Sequence, residues 1–218
     1  MLEIEAEEDG EKYTLLTARG PVKCETVARN LDTLGGAGYH RGGPGVGIEL
    51  CLDGGSPESD RVLRELRVVQ EGAFAEELRR IREAGWKQTP HIQWIHVEDR
   101  FMPMGVKMIG AFLDAIRNTG DVDPERFLAG FQIIPNEIPG IGSFDFGQLK
   151  ISMRVADGLE EKIRSGSLMG LDVLLPEATA RVGGFSDACH SLTAATTVPV
   201  GREERLIEEM ENLLNSNG

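Results

Sequence analysis

The side chains best suited to chemistry cluster near the carboxy terminus, in RVGGFSDACHSLTAATTVP, Arg181 to Pro199. Ser186, Asp187 and His190 are the residue types of a nucleophilic triad. Neighbours this close in one loop seldom place hydroxyl, imidazole and carboxylate in line, so a triad is not expected. Cys189 beside His190 offers a second chemistry, because an adjacent cation lowers a thiol's pKa. A small buried residue in a tight loop accounts for the same cysteine more simply. Metal-assisted hydrolysis needs several Asp and His ligands converging on one or two ions. The chain has four histidines and no Asp-His-His triplet. His91 and His96, in one strand, would face opposite ways and read as core or edge residues. Asp121 and Asp123, in GDVDPE, fall in a turn where aspartate commonly caps. No catalytic residues, no metal site and no cofactor are therefore expected.

A Gly-Gly turn, a small-residue run and a β-branched ending also describe a backbone-lined binding loop that feeds a strand. The elements needed to position such a loop can be read along the chain. Lys12 to Thr17 is β-like, and Val22 to Leu34 has helical spacing with Val27, Leu31 and Leu34 on one stripe. Gly35 to Gly47, with seven glycines in 13 residues, is expected to be irregular. Ser56, Pro57 and Glu58 read as the cap, first residue and acidic first turn of a long helix that ends near Gly85. Beyond it, strands are expected at His91 to Val97, Gly130 to Pro135, Leu149 to Val155 and Thr193 to Val198. Helices are expected at Met104 to Ile116, Leu168 to Val182 and Arg202 to Leu214. This alternation is that of an α/β protein.

The chain has 218 residues and a net charge of −13. An acidic surface repels a phosphate backbone at long range, so any nucleic-acid contact must come from a local groove, and a basic protein surface is the other natural partner. The three cysteines, Cys24, Cys51 and Cys189, are widely spaced, which argues against a disulfide framework or zinc site and fits a reducing cytoplasm. No apolar run reaches the roughly 20 residues of a membrane span, and the acidic start is unlike a signal peptide.

Two stretches together, QLKISMRVADGL (Gln148 to Leu159) and GLDVLLPEATARVGGFSDACHSLTAATTVP (Gly170 to Pro199), resemble the DHH-associated carboxy-terminal domain of archaeal RecJ-like DHH phosphoesterases. Ser152 and Arg154 match the family's S-x-R strand. Gly183, Gly184 and His190 match its glycine-rich loop, and Thr197, Val198 and Pro199 its T-I-P ending. Ser186-Asp187-Ala188-Cys189 stands where the family has mostly glycines, which puts a carboxylate where a phosphate would sit. Upstream, Glu25 to Gly54 resembles the end of the catalytic DHH domain. The lobe that carries the family's metal ligands has no counterpart.

The resemblance implies a small α/β remnant of the DHH domain over 1–55, a long connector helix over 56–88 and, over 89–218, a DHH-associated domain built as a mixed sheet flanked by helices. It implies a non-catalytic, chromosome-associated replication component that binds GINS and the MCM helicase, similar to the RecJ DNA-binding-domain homologue. Single-stranded DNA would contact Ser152, Arg154, Gly183, Gly184, His190 and Thr197. The alternative is a fragment of a metal-dependent single-strand exonuclease.

Overall fold

The computed structural model describes residues 3–6, 13–17 and 19–216. The chain divides into two compact units, Met1–Ala75 with Pro103–Lys107, and Glu76–Met102 with Met108–Gly218.

The first unit opens with an antiparallel sheet of β1 (Glu3–Ala6), β2 (Tyr13–Thr17) and β3 (Gly20–Lys23), in that order. Lys12, the expected start of β2, lies outside the described residues. The helix expected from Val22 starts later, as α1 (Cys24–Gly35), because Gly20–Lys23 pairs with β2. The glycine-rich stretch also differs from expectation. Only its first part is a turn; Gly43 begins a helix, α2 (Gly43–Asp53), with Pro44 in its first turn. The glycines here serve close packing: a Cβ on Gly43 would lie 2.1 Å from the Leu34 carbonyl oxygen, and one on Gly38 2.6 Å from it. Gly42, at φ +73°, turns the chain into α2.

The long helix, α3 (Pro57–Ala84), has 28 residues. Its start is capped reciprocally. The Ser59 amide donates to Ser56 Oγ at 3.1 Å, and the Ser56 amide donates to Ser59 Oγ at 2.6 Å. This is the capping-box logic with serine in the glutamate's place. Gly85, at φ +80°, ends it with its amide on the Ile81 carbonyl.

The second unit is built on a six-stranded sheet. In chain order its elements are β4 (Lys87–Gln88), β5 (Ile92–His96), α4 (Met108–Ile116), β6 (Phe127–Ile133), β7 (Glu137–Ile138), β8 (Gly142–Ser143), β9 (Gln148–Arg154), α5 (Asp157–Arg164), α6 (Leu171–Arg181), β10 (Phe185–Cys189), β11 (Thr193–Pro199) and α7 (Glu203–Ser216). The strand order is β10-β11-β9-β6-β5-β4, and only β5 and β6 run parallel, with α4 on the crossover. The fold is α/β, a mixed sheet flanked by helices.

One sheet face carries Ile92, Trp94, Phe127, Phe131, Leu149, Ile151, Met153 and Val198 into a core closed by Leu171, Leu174, Leu175, Leu206, Ile207 and Met210 of α6 and α7. A buried hydrogen bond between Thr179 and Thr196, 2.9 Å, ties α6 to β11. On the other face, α4 packs on β6 and β9. Gly130 lets it approach: a Cβ there would meet Ile109 Cδ1 at 2.5 Å.

β11 lies beside β9, in the register Thr193↔Arg154 through Pro199↔Gln148. The residues expected to form a loop before it do not. Phe185–Cys189 forms the edge strand β10, because β11 supplies an antiparallel ladder to its backbone; a bulge falls between Ser186 and Ala188. No helix among the described residues is long and apolar enough to cross a membrane.

Candidate nucleic-acid interface

Strand pairing sets three rows of residues across the α4 side of the sheet. Leu128, Arg154 and Thr193 lie in one row, and Gly130, Ser152, Ala195 and Ala188 in the next. Gln132, Lys150, Thr197 and Phe185 form the third. Residues of alternate parity point into the core. Helix α4 covers the β6 and β9 part of these rows, whereas Thr193, Ala195 and Thr197 are half-buried and Phe185 and Ala188 are exposed. The middle row is small-sided, so the uncovered part is a shallow trough between a row with Arg154 and a row with Lys150.

Ser152, Arg154 and Thr197 thus share this face. His190 lies just past β10, where its amide donates to the Thr193 carbonyl at 2.8 Å and holds it beside the Arg154 row. Ser152 is buried, 4% exposed, under Gly110. A Cβ on Gly110 would come within 2.9 Å of Arg154 Nη2 and 3.3 Å of Ser152 Oγ.

Gly183 and Gly184 belong instead to the end of α6. Gly183 takes φ +76°, and the amides of Gly183 and Gly184 reach back to the carbonyls of Ala180 and Thr179 at 3.3 and 2.9 Å. This is a helix-terminating arrangement that needs glycine in the left-handed region. Gly184 also presses on β11, since a Cβ there would lie 2.5 Å from the Thr197 carbonyl oxygen. Their small size serves the turn and its packing.

Both cations of the trough are held by carboxylates. Arg154 donates from Nε to Asp114 Oδ1 at 2.7 Å and from Nη2 to Asp114 Oδ2 at 2.8 Å, and Nη1 reaches the Met153 carbonyl at 2.9 Å. Its side chain is 12% exposed. Lys150 pairs with Asp187, the bulge residue of β10. Asp114, Lys150 and Gly110 are absent from the sequence-derived site. Lys150 could have been found there, two residues before Ser152 on the same strand face; Asp114 could not, because nothing local shows which strand a helix covers.

The other candidate chemistries resolve into structure. Asp187 is turned to Lys150, not to His190. Burial pushes the Cys189 thiol above its ordinary value, with the Asp187 charge acting in the same direction, so it is not an activated nucleophile. His91 pairs with Glu211 at 2.8 Å and His96 with Glu203 at 3.3 Å, both on α7. Asp121 takes a two-pronged bond from Arg82, 2.8 Å in each arm, and Asp123 Oδ1 accepts the Glu125 amide at 2.9 Å. Among the described residues, no three His, Cys, Asp or Glu side chains come together in a way that could hold a metal ion.

Neither a protein-family model nor a curated protein matches this chain. Several solved structures are similar to it, three of which follow. One is the C-Ala domain of alanyl-tRNA synthetase from Aquifex aeolicus, at 7% identity and TM-score 0.41, covering 59% of this chain and 96% of that one. The pGpG-specific phosphodiesterase PggH of Vibrio cholerae is 11% identical at TM-score 0.46, over 88% of this chain and 59% of that one. The DHH domain of a protein assigned to a family of ribosomal proteins is 11% identical at TM-score 0.42, over 71% of this chain and 32% of that one. The chain therefore spans about three fifths and one third of the length of these last two. The likenesses are weak, and what the trough can do follows from its own side chains.

Proposed function

We propose that this chain is a non-catalytic RecJ-like component of the archaeal replication machinery, which docks onto GINS and the MCM helicase and touches single-stranded DNA weakly along the β9–β11 face. The observation that carries this reading is the pairing of Arg154 with Asp114 and of Lys150 with Asp187. A face whose cations are already neutralised, on a chain of net charge −13, is poorly suited to hold a phosphate backbone as its main task. Protein docking suits that charge better.

Calorimetric titration of the pure chain with purified archaeal GINS and MCM is the test, alongside incubation with single-stranded DNA and Mn²⁺. Saturable protein binding without DNA degradation is expected. Robust Mn²⁺-dependent degradation would replace this reading with the exonuclease one.

A further inference from the structure

Between β6 and β9 the chain leaves the sheet for a short arm, 134–147. The arm is a two-stranded hairpin, with Glu137 opposite Ser143 and Ile138 opposite Gly142. Gly140, at φ +78°, and Gly142, at φ +138°, shape its tip. Asn136 anchors its root, taking the Phe144 amide on its carbonyl at 2.7 Å and the Phe146 amide on its side chain at 3.5 Å. The Gly147 carbonyl accepts the Val200 amide at 3.0 Å, which fixes the returning strand beside the end of β11.

This anchored arm presents apolar groups to water. Ile141 is 71% exposed, Phe144 49%, Phe146 40% and the adjoining Val200 55%. The two phenyl rings lie 6.2 Å apart. Large apolar residues gathered on a held hairpin, outside any core, mark a contact surface. The charges that the arm itself carries point to its occupant. The stretch 134–147 carries Glu137 and Asp145 and no Lys, Arg or His. Base stacking on the two rings would need cations nearby to hold the phosphates, and the arm supplies carboxylates.

We infer that the arm is a docking surface for a basic amphipathic segment of another protein. Apolar side chains of that segment lie on Ile141, Phe144 and Phe146, and its Lys or Arg residues meet Glu137 and Asp145. This deepens the docking role proposed above and rests on it only for the identity of the partner.

The probe is a labelled amphipathic peptide of about 18 residues with leucines on one face and lysines on the other, compared with a twin carrying glutamate for lysine. The wild-type chain should bind the lysine peptide and not the twin. The Ile141→Ala/Phe144→Ala/Phe146→Ala variant, whose substituted side chains lie outside the core and whose fold is checked by thermal melting, should bind it at least about tenfold more weakly. Glu137→Lys/Asp145→Lys should reverse the preference between the peptides. Equal binding of the lysine peptide by wild type and triple variant overturns the proposal. So does loss of oligothymidylate binding with peptide binding intact, which would make the arm a base-stacking element. A triple variant that turns a wild-type dimer into a monomer assigns the surface to a second copy and also overturns it. If the peptides discriminate but GINS and MCM do not bind, the arm proposal stands and the replication reading falls. If GINS binds wild type and triple variant alike and the peptides do not discriminate, the reverse holds.

Discussion

Asp114 lies across Arg154 edge to edge, in two parallel hydrogen bonds of 2.7 and 2.8 Å. Its carboxylate occupies the position a phosphate would take on that guanidinium, in the bidentate geometry that arginine offers to either anion. The two residues are 40 apart in the sequence and meet because α4 packs on β9, on the sheet face to which Arg154 projects.

Replacing Asp114 with Asn should free Arg154 and tighten oligothymidylate binding about tenfold at low salt, equivalent to about 1.4 kcal/mol. Fluorescence anisotropy across a salt series would show the gain shrinking as salt rises. Adding Arg154→Ala should remove the gain, whereas Arg64→Ala, on the exposed side of α3, should leave it. Unchanged affinity in Asp114→Asn would show that the trough binds no nucleic acid through Arg154.

Asp187→Asn should act in the same direction through Lys150, without disturbing the sheet. Replacing all of Ser186-Asp187-Ala188-Cys189 with glycine is a different experiment. These residues form β10, and each glycine in a strand costs about 0.5–1 kcal/mol. The expected result is a loss of roughly 2–4 kcal/mol in urea unfolding, which would mask any opening of an anion site. A tetraglycine variant as stable as wild type would show that β10 adds little to the fold.

Gly110→Ala should disturb the trough from its α4 wall. The new methyl group would crowd Arg154 Nη2 and Ser152 Oγ, and overpacking of this kind costs about 1–3 kcal/mol. The denaturant midpoint should fall. Combination with Asp114→Asn should cost less than the sum of the two, because both loosen the same contact.

Acid should weaken the attachment of α7. Burial disfavours the Glu211 carboxylate, but hydrogen bonds from the Thr89 hydroxyl at 2.5 Å, and from the His91 ring at 2.8 Å and amide at 3.0 Å, outweigh it and hold the group below the usual carboxylate range. A folded-state pKa below the unfolded one contributes stability that is present above the unfolded value, about 4.3, and is lost as pH falls through the folded value. Unfolding free energy should therefore drop below about pH 4.3, and Glu211→Gln should flatten that part of the profile. Equal acid sensitivity in wild type and variant would assign the effect to other carboxylates.

Much of the second unit is legible in the sequence because its signals are local. The alternation in Leu149 to Val155 and the β-branched run at Thr196 to Val198 mark β9 and β11 as strands. Gly183 announces the end of α6 through the conformation only glycine takes easily. The glycine-rich stretch at Gly35 misleads from Gly43 onward, because glycine ordinarily breaks a helix. Here it is the residue small enough to pack a helix against the Leu34 carbonyl, and Pro44 favours a helix start. β10 is hidden for a related reason: Phe185–Cys189 becomes a strand only because β11 offers it a ladder. Arg154 stands out in the sequence, but its occupation by Asp114 depends on packing between elements 40 residues apart.

The bulge at Asp187 has a bearing on how this protein behaves when crowded. An exposed edge strand is a template on which identical chains can stack into fibrils. Here the ladder is interrupted two residues into β10, and the bulged side chain is drawn inward to Lys150 on the second strand over. An incoming strand finds a broken row of donors and acceptors there and cannot extend the sheet in register. The Asp187 that pairs with Lys150 therefore also acts as a stop against polymerisation, so Asp187→Asn, chosen to open the trough, should also be watched for slow fibril growth at high concentration.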